Sequence, residues 1–435
     1  MKSSEWRKVR LGEVITFNPK ESIPKGCLAK KISMDKLSPF QRRIEGYEIL
    51  PYAGGSKFRN GDTLLARITP CLENGKTAQV KILDDNEVGF GSTEFIVLRG
   101  KQNQTDNDFV FNLARSEHLR EIAIKSMAGT SGRQRAQTDV IENTLIKLPP
   151  LQEQKAIAHI LSTLDEKIEV NNKINKTLEE MAQSIFKHWF VDFEFPNEDG
   201  EPYKSSGGEM VDSELGPIPK GWKVGIIGDY IAKTKGGDWG KERPEGNYLT
   251  KVKCIRGADI DDLPSGRKGN APTRYILEKN FNSKKLVKGN LIVEISGGSP
   301  TQSTGRIAYI SEEIIKRNSD PLICTNFCRA IELEDPDLMF FVFNYWRYLY
   351  SGNLFFNYEN GTTGIKNLDI NSFIEGYLIV KPTKGVLRTY SSIVGNFDKM
   401  IQNNGISNEV LSAIRDTLLP KLMSGEIRVP IDNEQ

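Results

Sequence analysis

Two eight-residue stretches, "LDEKIEVN" at 164–171 and "FDKMIQNN" at 397–404, are copies of one helical phrase at an offset of 233 positions. The alignment extends without a gap to residues 185 and 418, and its identities are Asp165/Asp398, Ile168/Ile401, Asn171/Asn404, Asn175/Asn408 and Leu178/Leu411. The four identities after the aspartates alternate at steps of three and four residues, which is the 3.5-residue spacing of a coiled-coil seam. The repeat therefore predicts two long helices with matching seams.

Each repeat helix is predicted to span about 40 residues, so its apolar stripe needs a partner along the full length. The other copy is the simplest partner, and antiparallel pairing would relate the two halves of the chain by a pseudo-twofold axis. The predicted seam consists of Leu164, Ile168, Asn171, Asn175, Leu178, Ile185, Phe397, Ile401, Asn404, Asn408, Leu411 and Leu418. The four asparagines lie near the helix midpoints, where buried amides would fix the register. The alternative is that these amides face solvent or another subunit.

Fainter repeats lie outside the helices. The matching stretches are "WRKVRLGEVI" (6–15) with "GWKVGIIGDYI" (221–231), "NGDTLLARI" (60–68) with "KGNLIVEI" (288–295), "STEFIVL" (92–98) with "CTNFCRAI" (324–331), and "GTSGRQR" (129–135) with "GTTGIKN" (361–367). Alternating short strands and loops, with one apolar helix near 109–125 and another near 337–350, indicate mixed α/β domains.

The predicted fold class is α/β: two similar mixed α/β domains separated by two long helices that pair as an antiparallel coiled coil. The predicted boundaries are a first domain at 1–150, a first long helix at 151–195, a linker at 196–220, a second domain at 221–382, a second long helix at 383–425 and a C-terminal tail at 426–435. The linker is assigned because that stretch is rich in Pro, Gly, Ser and acidic residues.

The 435-residue chain has a net charge of only +2, but the charge is unevenly distributed. Lys and Arg minus Asp and Glu give +6 for residues 1–150, −7 for 151–220, +3 for 221–382 and 0 for 383–435. Two basic blocks separated by an acidic one favour two polyanion-binding modules on a spacer. The alternative is chance variation among solvated charges.

Composition also predicts the cellular compartment. The chain is 38% apolar and 27% charged, which is typical of globular proteins. No apolar stretch follows the first residues, so no signal peptide is expected. The most apolar window, 338–358, is interrupted by polar residues and is typical of a buried amphipathic helix rather than a membrane span. Five cysteines without paired spacing indicate a reducing compartment. A cytoplasmic protein without a membrane partner is expected.

The sequence offers no set of residues suited to catalysis or metal binding. His118, His159 and His188 are scattered, and no Cys/His pattern has the spacing of a zinc site. There is no phosphate-binding loop of the GxxxxGKS kind. A glycine stretch at 89–93 lacks the βαβ context of a cofactor loop. The chain is therefore predicted to bind other molecules without catalysis; the alternatives are a self-sufficient methyltransferase or nuclease, and a scaffold that joins proteins.

"LIKLPPLQEQKAIAHILSTLDEKIEVNN" at 145–172 resembles the first conserved region of specificity subunits of type I restriction-modification systems. "LLPKLMSGEIRV" at 418–429 resembles the end of their second conserved region. "GWKVGIIGDYI" and "IRGADI" at 255–260 are typical of the target recognition domains of these subunits. The resemblance extends over essentially the whole chain and includes the order of its parts.

The resemblance implies a subunit that reads a two-part sequence in double-stranded DNA, one part per recognition domain, with an unread spacer set by the paired helices. It implies docking of two methyltransferase subunits that bind S-adenosylmethionine and methylate adenine at N6. With a restriction subunit, the assembly would be an ATP-dependent nuclease, and S-adenosylmethionine, ATP and Mg²⁺ would all be held by partner subunits. The second copy has "VKPTKGVLRTYSSIV" where the first has "KLPPLQEQKAIAHIL", so the two methyltransferase contacts are not expected to be equivalent.

The loops at 129–135 and 361–367 are the first candidates for DNA contact, because each precedes a long helix and combines glycine with side chains that suit phosphates and base edges. The candidates are Ser131, Arg133, Gln134, Arg135, Thr363, Lys366 and Asn367. The alternative is a helix-entry turn whose charges are merely solvated. A second set, around the strand–loop pairs, is Lys57, Arg59, Arg67, Lys76, Arg256, Lys284, Lys285, Ser299, Thr301, Gln302 and Arg306. The aromatic stretch at 185–195 is assigned to the core, with methyltransferase contact as the alternative.

Overall fold

The computed structural model describes residues 5–130, 132–299, 301–361 and 365–430. The chain forms two compact units, Met1–Glu169 with Glu409–Gln435 and Val170–Asn408. Each unit contains one of the predicted α/β domains together with parts of both long helices.

The first unit is built from short strands and helices followed by the first long helix, which continues into the second unit. These elements are β1 (Arg7–Arg10), α1 (Leu11–Val14), β2 (Ile15–Phe17), β3 (Leu28–Ile32), β4 (Glu48–Pro51), β5 (Ser56–Phe58), β6 (Thr63–Ala66), β7 (Thr77–Gln79), β8 (Gly89–Gly91), β9 (Phe95–Gly100), α2 (Asn107–Arg115), α3 (Glu117–Lys125), α4 (Thr138–Glu142), β10 (Leu145–Leu148) and α5 (Leu151–Phe190). A 3₁₀ turn spans Met34–Lys36.

The central sheet of the first unit is antiparallel, in the order β2-β9-β6-β7, and it separates two hydrophobic cores. Leu65 and Ile96 pack with α2 and the long helices in one core, whereas Leu64 and Val97 pack with Phe58 in the other. Both faces of β6 are therefore buried, which explains its uninterrupted apolar sequence. A second sheet, β4-β3-β8-β5, pairs β3 parallel to β8, and β1 pairs antiparallel with β10.

The second unit has more short elements and ends in the second long helix, which continues into the first unit. These elements are β11 (Met210–Val211), β12 (Ile218–Pro219), β13 (Lys223–Ile226), β14 (Ile231–Gly236), β15 (Tyr248–Ile255), β16 (Thr273–Leu277), α6 (Glu278–Lys284), β17 (Leu291–Glu294), β18 (Ser296–Gly297), β19 (Ile307–Tyr309), α7 (Glu312–Arg317), β20 (Leu322–Cys324), β21 (Cys328–Leu333), α8 (Met339–Ser351), β22 (Glu359–Asn360), β23 (Lys366–Leu368), α9 (Ile370–Gly376), β24 (Leu378–Lys381) and α10 (Lys384–Ser424). The 3₁₀ turns are Ile227–Tyr230, Gly257–Asp259, Pro336–Leu338 and Leu354–Tyr358.

The two α/β domains share one topology, which confirms the predicted fold class and internal repeat. The sheet β14-β21-β17-β19 matches β2-β9-β6-β7, and the parallel pair β15/β20 matches β3/β8. The antiparallel pair β13/β24 corresponds to β1/β10. The helices that pack on the sheets are also related, because "FVFNLAR" at 109–115 lies in α2 and "FVFNYWR" at 341–347 lies in α8.

The single apolar helix predicted near 109–125 is wrong in detail, because the structure has two helices there. Ser116 ends α2 with an extended backbone and begins α3, and its side-chain oxygen accepts a hydrogen bond from the Leu119 amide. Serine competes with the helical backbone for hydrogen bonds in this way, which favours a helix start. The other predicted helix, near 337–350, is α8.

The two long helices run antiparallel within each unit. In the second unit, the Asn171 amide donates to Asn408 Oδ1 at 2.8 Å, and the Asn404 amide donates to Asn175 Oδ1 at 2.8 Å. The Asn408 amide also donates to Asn172 Oδ1 at 2.9 Å. The structure thus brings the four seam asparagines together, and all twelve predicted seam residues are buried or half-buried. The first helix ends at Phe190, five residues before the predicted boundary.

Equivalent aspartates of the repeat have different surroundings. In the first unit, Asp165 forms ion pairs with Arg115 at 2.9 Å and Arg415 at 3.0 Å, and all three side chains are largely buried. In the second unit, Asp398 accepts hydrogen bonds from the Tyr309 hydroxyl at 2.8 Å and the Gln402 amide at 3.2 Å. Position 415 corresponds to position 182 in the first copy, where the residue is alanine. The buried carboxylate is therefore matched by cations in one unit and by neutral groups in the other.

Glycine within α10 allows a close approach of the chain in the second unit. A Cβ at Gly405 would lie only 1.8 Å from the carbonyl oxygen of Gly266, so no other residue fits without moving that loop. The Asn175 amide also donates to the carbonyl oxygens of Ser265 and Ile401, each at 3.2 Å. Glycine costs about 1 kcal/mol in a helix interior, and this contact supplies the reason for it.

Residues 191–222 fold onto the second domain. Phe195 stacks against Tyr203 and Trp222, with ring centroids 4.6 and 4.8 Å apart, and Ile218 is buried. The strands β11 and β12 form a small hairpin within the segment predicted as a linker. Phe186 and Phe190 belong to the same core, in agreement with the assignment of the aromatic stretch.

The segments near the two ends of the chain meet in the first unit. Glu153, at the start of α5, accepts hydrogen bonds from the Trp6 indole at 3.0 Å and from the Arg428 guanidinium at 2.6 and 2.8 Å. The Arg428 guanidinium lies over the Trp6 ring at 5.5 Å. In the part of the chain that the structure describes, no helix combines the length and apolarity needed to cross a bilayer.

Candidate nucleic-acid interface

The loop at 129–135 is anchored to the end of β6 by its backbone. Arg135 forms isolated β-bridges with Ile68 and Ala128, and the Thr69 amide donates to the Gln134 carbonyl at 3.0 Å. The Ala136 amide donates to the Arg67 carbonyl at 2.8 Å. The loop therefore lies just beyond the end of β6, an interior strand of the central sheet. The chain continues from the loop into α4 and then into α5.

The second domain repeats this arrangement at equivalent positions. Ser296 pairs with Asn367 and Gly297 pairs with Lys366 where β18 meets β23. The Ser296 hydroxyl donates to Asn367 Oδ1 at 2.5 Å. The sheet registers make Ser296 the counterpart of Ile68, and the loop alignment makes Asn367 the counterpart of Arg135. In both domains the loop is thus held just beyond the end of the equivalent interior strand, β6 in the first domain and β17 in the second.

A buried carboxylate connects two polar loops of the second domain. Glu359 Oε1 accepts from the Thr304 amide at 2.6 Å and the Thr304 hydroxyl at 3.0 Å, and Oε2 pairs with Lys366 at 2.7 Å. Burial alone would raise the pKa of the Glu359 carboxyl, but the bonds from Lys366 and Thr304 outweigh it and lower the pKa. The charged carboxylate therefore fixes the 301–304 segment beside β23.

Several basic residues predicted to contact DNA in the first domain already have partners within the protein. Arg59 pairs with Glu21 at 2.8 Å, and the Lys76 amine donates to the Met34 carbonyl at 2.9 Å. Arg135 pairs with Glu94 at 2.7 Å, and this interaction raises the pKa of the guanidinium. These side chains hold loops in place and could reach DNA only by sharing or exchanging partners.

The remaining candidates of the first domain are less constrained. Arg133 is exposed, Gln134 is half-buried, and the Lys57 amine lies over the Tyr52 ring at 5.6 Å. Arg67 is half-buried, and its Nε is shielded from solvent without a hydrogen-bond acceptor. Ser131 lies outside the described residues. Arg133 is therefore the candidate of this loop with the greatest access to a ligand.

Candidates in the second domain divide in the same way. Arg256 pairs with Asp259 at 2.9 Å, and the Lys284 amine donates to the Gly237 carbonyl at 2.7 Å. Arg306 pairs with Glu294 and Asp261, each at 2.8 Å, which raises the pKa of its guanidinium. The exposed candidates are Lys285, Thr301, Gln302 and Asn367, whereas Ser299 is half-buried and Lys366 is paired with Glu359. Thr363 lies outside the described residues. Whether any of these side chains contacts DNA stays a prediction.

The described residues hold no group of His, Cys, Asp or Glu side chains arranged to bind a metal ion. Three of the five cysteines are buried, and burial raises the pKa of the Cys254 and Cys328 thiols to about 12. Such thiols remain protonated at neutral pH, and a protonated thiol is a poor nucleophile and metal ligand.

Sequence reasoning missed two residues of the "LQEQ" motif that have structural roles. Gln154 is fully buried; its amide donates to the carbonyls of Gln104 and Pro149, and its Oε1 accepts from the Asp106 amide at 3.0 Å. Glu153 binds Trp6 and Arg428, as described above. Both residues secure the start of α5 to the first domain, so these two of the four motif residues are used for contacts within the protein.

Comparison with known proteins finds the same family that the sequence motifs resemble. The model of the type I restriction modification DNA specificity domain family matches residues 3–180. The MjaIX specificity subunit of a type I restriction enzyme from Methanocaldococcus jannaschii is 27% identical, over 74% of this chain and 69% of that protein. The HindI specificity subunit from Haemophilus influenzae is 26% identical, over 88% of this chain and 90% of that protein.

One solved structure supports the fold. The S subunit of a type I restriction-modification system from M. genitalium aligns with 97% of each chain at 15% identity and a TM-score of 0.55. Residues 3–180 thus match the DNA specificity domain family, the two relatives that align with most of this chain are specificity subunits of type I restriction enzymes, and the M. genitalium S subunit shares its fold.

Proposed function

We propose that each α/β domain reads one half of a bipartite site in double-stranded DNA and that the paired helices set the spacing between the halves. The proposal is carried by one observation: the loops at 129–135 and 361–367 are anchored just beyond the ends of equivalent strands, β6 and β17, in the two domains. A duplicated reader on a duplicated helix is the arrangement expected for a target with two separated parts.

The polar composition of these loops supports DNA as the ligand. Arg133 and Gln134 of the first loop are the kinds of side chain that bind phosphates and base edges, as are Thr301 and Gln302 of the 301–304 segment that Glu359 fixes beside β23; each is exposed or half-buried. The excess of basic residues in both domains would add sequence-independent affinity through counterion release.

We further propose that the chain docks two methyltransferase subunits, which bind S-adenosylmethionine and methylate adenine at N6 in the cytoplasm. A restriction subunit would add ATP- and Mg²⁺-dependent cleavage, and all three cofactors would belong to the partner subunits. Apolar side chains on the outer surface of the long helices support docking. Met181 and Ile414 occupy equivalent positions of the repeat and are 43% and 42% exposed. Apolar side chains at matching sites suit two similar partner contacts.

Genome-wide mapping of N6-methyladenine tests the proposed function. Cells that express the candidate methyltransferase are compared with this gene intact and with it deleted. Loss of methylation at one bipartite motif on deletion is the expected result, and it would give both half-sites and the spacer. An unchanged methylome, with the methyltransferase expressed and bound to this chain, would contradict DNA reading and favour a protein scaffold.

Arg133→Ala is expected to weaken binding about 5- to 150-fold at the first half-site, because a good contact between a guanidinium and a base contributes about 1–3 kcal/mol. Loss of a positive charge from the interface should also reduce the slope of log affinity against log salt by about 1. Titration of duplexes altered in one half-site at a time measures the first effect, and a salt series measures the second.

Arg10→Ala is the matched control for that substitution, because Arg10 is an exposed arginine of the same domain that pairs with Leu145 on β10 and not with the strand end that anchors the loop. Reading of the second half-site should not change in either variant. Equal losses at both half-sites, or equal losses for Arg10→Ala and Arg133→Ala, would remove Arg133 from the interface.

A further inference from the structure

Phe327 is an exposed aromatic residue directly before β21, at the end of the sheet where the polar loops of the second domain are anchored. Its side chain is 57% exposed, although Thr325 and Cys328 beside it are buried. Single exposed apolar side chains are common on proteins and need no special explanation. Phe327 differs from such residues because it lies beside the anchor of a repeated loop.

The backbone of Phe327 is fixed directly beside the loop anchor. Its carbonyl oxygen accepts hydrogen bonds from the Ile295 amide at 2.9 Å and the Ser296 amide at 3.2 Å. The hydroxyl of the same Ser296 donates to Asn367 Oδ1 at 2.5 Å. Phe327 and Asn367 therefore both contact Ser296, and both side chains are exposed.

The first domain has different chemistry at the two equivalent positions. The Arg67 amide donates to the Glu94 carbonyl at 3.0 Å, as the Ile295 amide does to Phe327, so Glu94 is the counterpart of Phe327. Arg135 is the counterpart of Asn367, and the two charged side chains pair at 2.7 Å. A Glu–Arg pair in one domain is thus replaced by Phe and Asn in the other, on an otherwise shared scaffold.

Resting on the proposed function, we propose that Phe327 and Asn367 are specificity-determining residues that read A·T pairs in the second half-site. An apolar ring distinguishes thymine from cytosine by contact with the thymine 5-methyl group, and an asparagine amide bonds to N6 and N7 of adenine. The Asn367 oxygen has two lone pairs, so it can accept from adenine N6 while it accepts from Ser296. The first domain has the charged Glu94 and Arg135 at these two positions.

Uracil substitution tests the thymine contact, because deoxyuridine differs from thymidine only by the methyl group. The complex of the full chain with its methyltransferase is titrated with duplexes of the mapped site, in which each thymine of the second half-site is replaced in turn. For the wild-type chain, one replacement is expected to weaken binding about 3- to 10-fold, as loss of a buried methyl contact predicts. Phe327→Ala should bind the thymine duplex more weakly than the wild type by a similar factor. Replacement of that thymine by uracil should cause no further loss of affinity in this variant.

Two further variants test whether the effect is specific to Phe327 and whether Asn367 reads an adenine. Leu249→Ala removes another exposed apolar side chain of the same domain, 66% exposed on β15, and should keep the wild-type response to uracil. Asn367→Ala should lower discrimination at one adenine of the second half-site only. Unchanged binding at the other positions of the second half-site shows that the second domain is folded in each variant.

The inference is overturned if the second half-site contains no thymine, if no uracil replacement weakens wild-type binding, or if Phe327→Ala remains as sensitive to uracil as the wild type. Those results require a bipartite motif that depends on this gene, so they are distinct from failure of the proposed function, in which gene deletion leaves the methylome unchanged.

Discussion

Asp165→Asn is expected to lower the free energy of unfolding of the first unit by about 3–5 kcal/mol, the usual cost of removing one partner from a buried ion pair. Asp165 is 4% exposed and contacts two guanidinium groups, those of Arg115 and Arg415. An asparagine keeps the shape but not the charge, so two cations would remain buried without a carboxylate. Urea unfolding of the full chain, combined with hydrogen exchange of α2 and the start of α5, measures the loss.

Asp416→Asn is the matched control for that substitution. Asp416 also contacts Arg415, at 2.8 Å, but its side chain is 63% exposed, and exposed ion pairs contribute about 1 kcal/mol or less. The two substitutions change the same charge near the same arginine and differ in burial. A loss of similar size in both variants would contradict the role assigned to the buried Asp165.

The same substitution at the equivalent position of the repeat should have the opposite sign. Burial raises the pKa of the Asp398 carboxyl to about 6 from its ordinary value of 3.8, and its hydrogen-bond donors in the described part of the chain are neutral groups, among them the Tyr309 hydroxyl and the Gln402 amide. The folded state therefore holds this proton more tightly than the unfolded state, and stability falls as the pH rises from about 4 to about 6. Above that range, the ionised carboxylate costs the fold about 3 kcal/mol.

Asp398→Asn removes the ionisable group and keeps an oxygen that can accept from the Tyr309 hydroxyl. We expect the variant to be about 2–3 kcal/mol more stable than the wild type at pH 8 and to differ by less than about 1 kcal/mol at pH 4. Denaturant unfolding of both proteins at pH 4, 6 and 8 measures the difference. A difference that does not change with pH would show that ionisation of Asp398 is not its cause.

The long helices and the repeat could be predicted from the sequence because their signals are local and periodic. A 3.5-residue ladder identifies a seam wherever it occurs, and the identical asparagines aligned the two copies. The pairing of β3 parallel to β8 could not be predicted, because the strands are short and separated by more than fifty residues. The break at Ser116 was missed because α2 and α3 have one continuous apolar pattern, and only the capping geometry separates them.

The candidate interface was harder to predict for a related reason. The sequence identifies arginines and lysines but not their partners, which come from distant parts of the chain. Arg135 and its partner Glu94 are 41 residues apart, and Arg306 and Asp261 are 45 residues apart. Composition gives the same weight to Arg306, with two carboxylate partners, and to the exposed Arg133. Phe327 could not be predicted as a candidate, because the sequence does not show that this phenylalanine is exposed.

The contact of Trp6 and Arg428 with Glu153 has a consequence for how the chain can be ordered. Because these two residues share one carboxylate, a short peptide could join residue 430 to residue 5 and close the backbone into a ring. The position at which such a ring is opened could then be changed without loss of these packing contacts. A permuted gene that begins at the second domain and ends with α5 would encode a chain in which Trp6, Glu153 and Arg428 could make the same contacts.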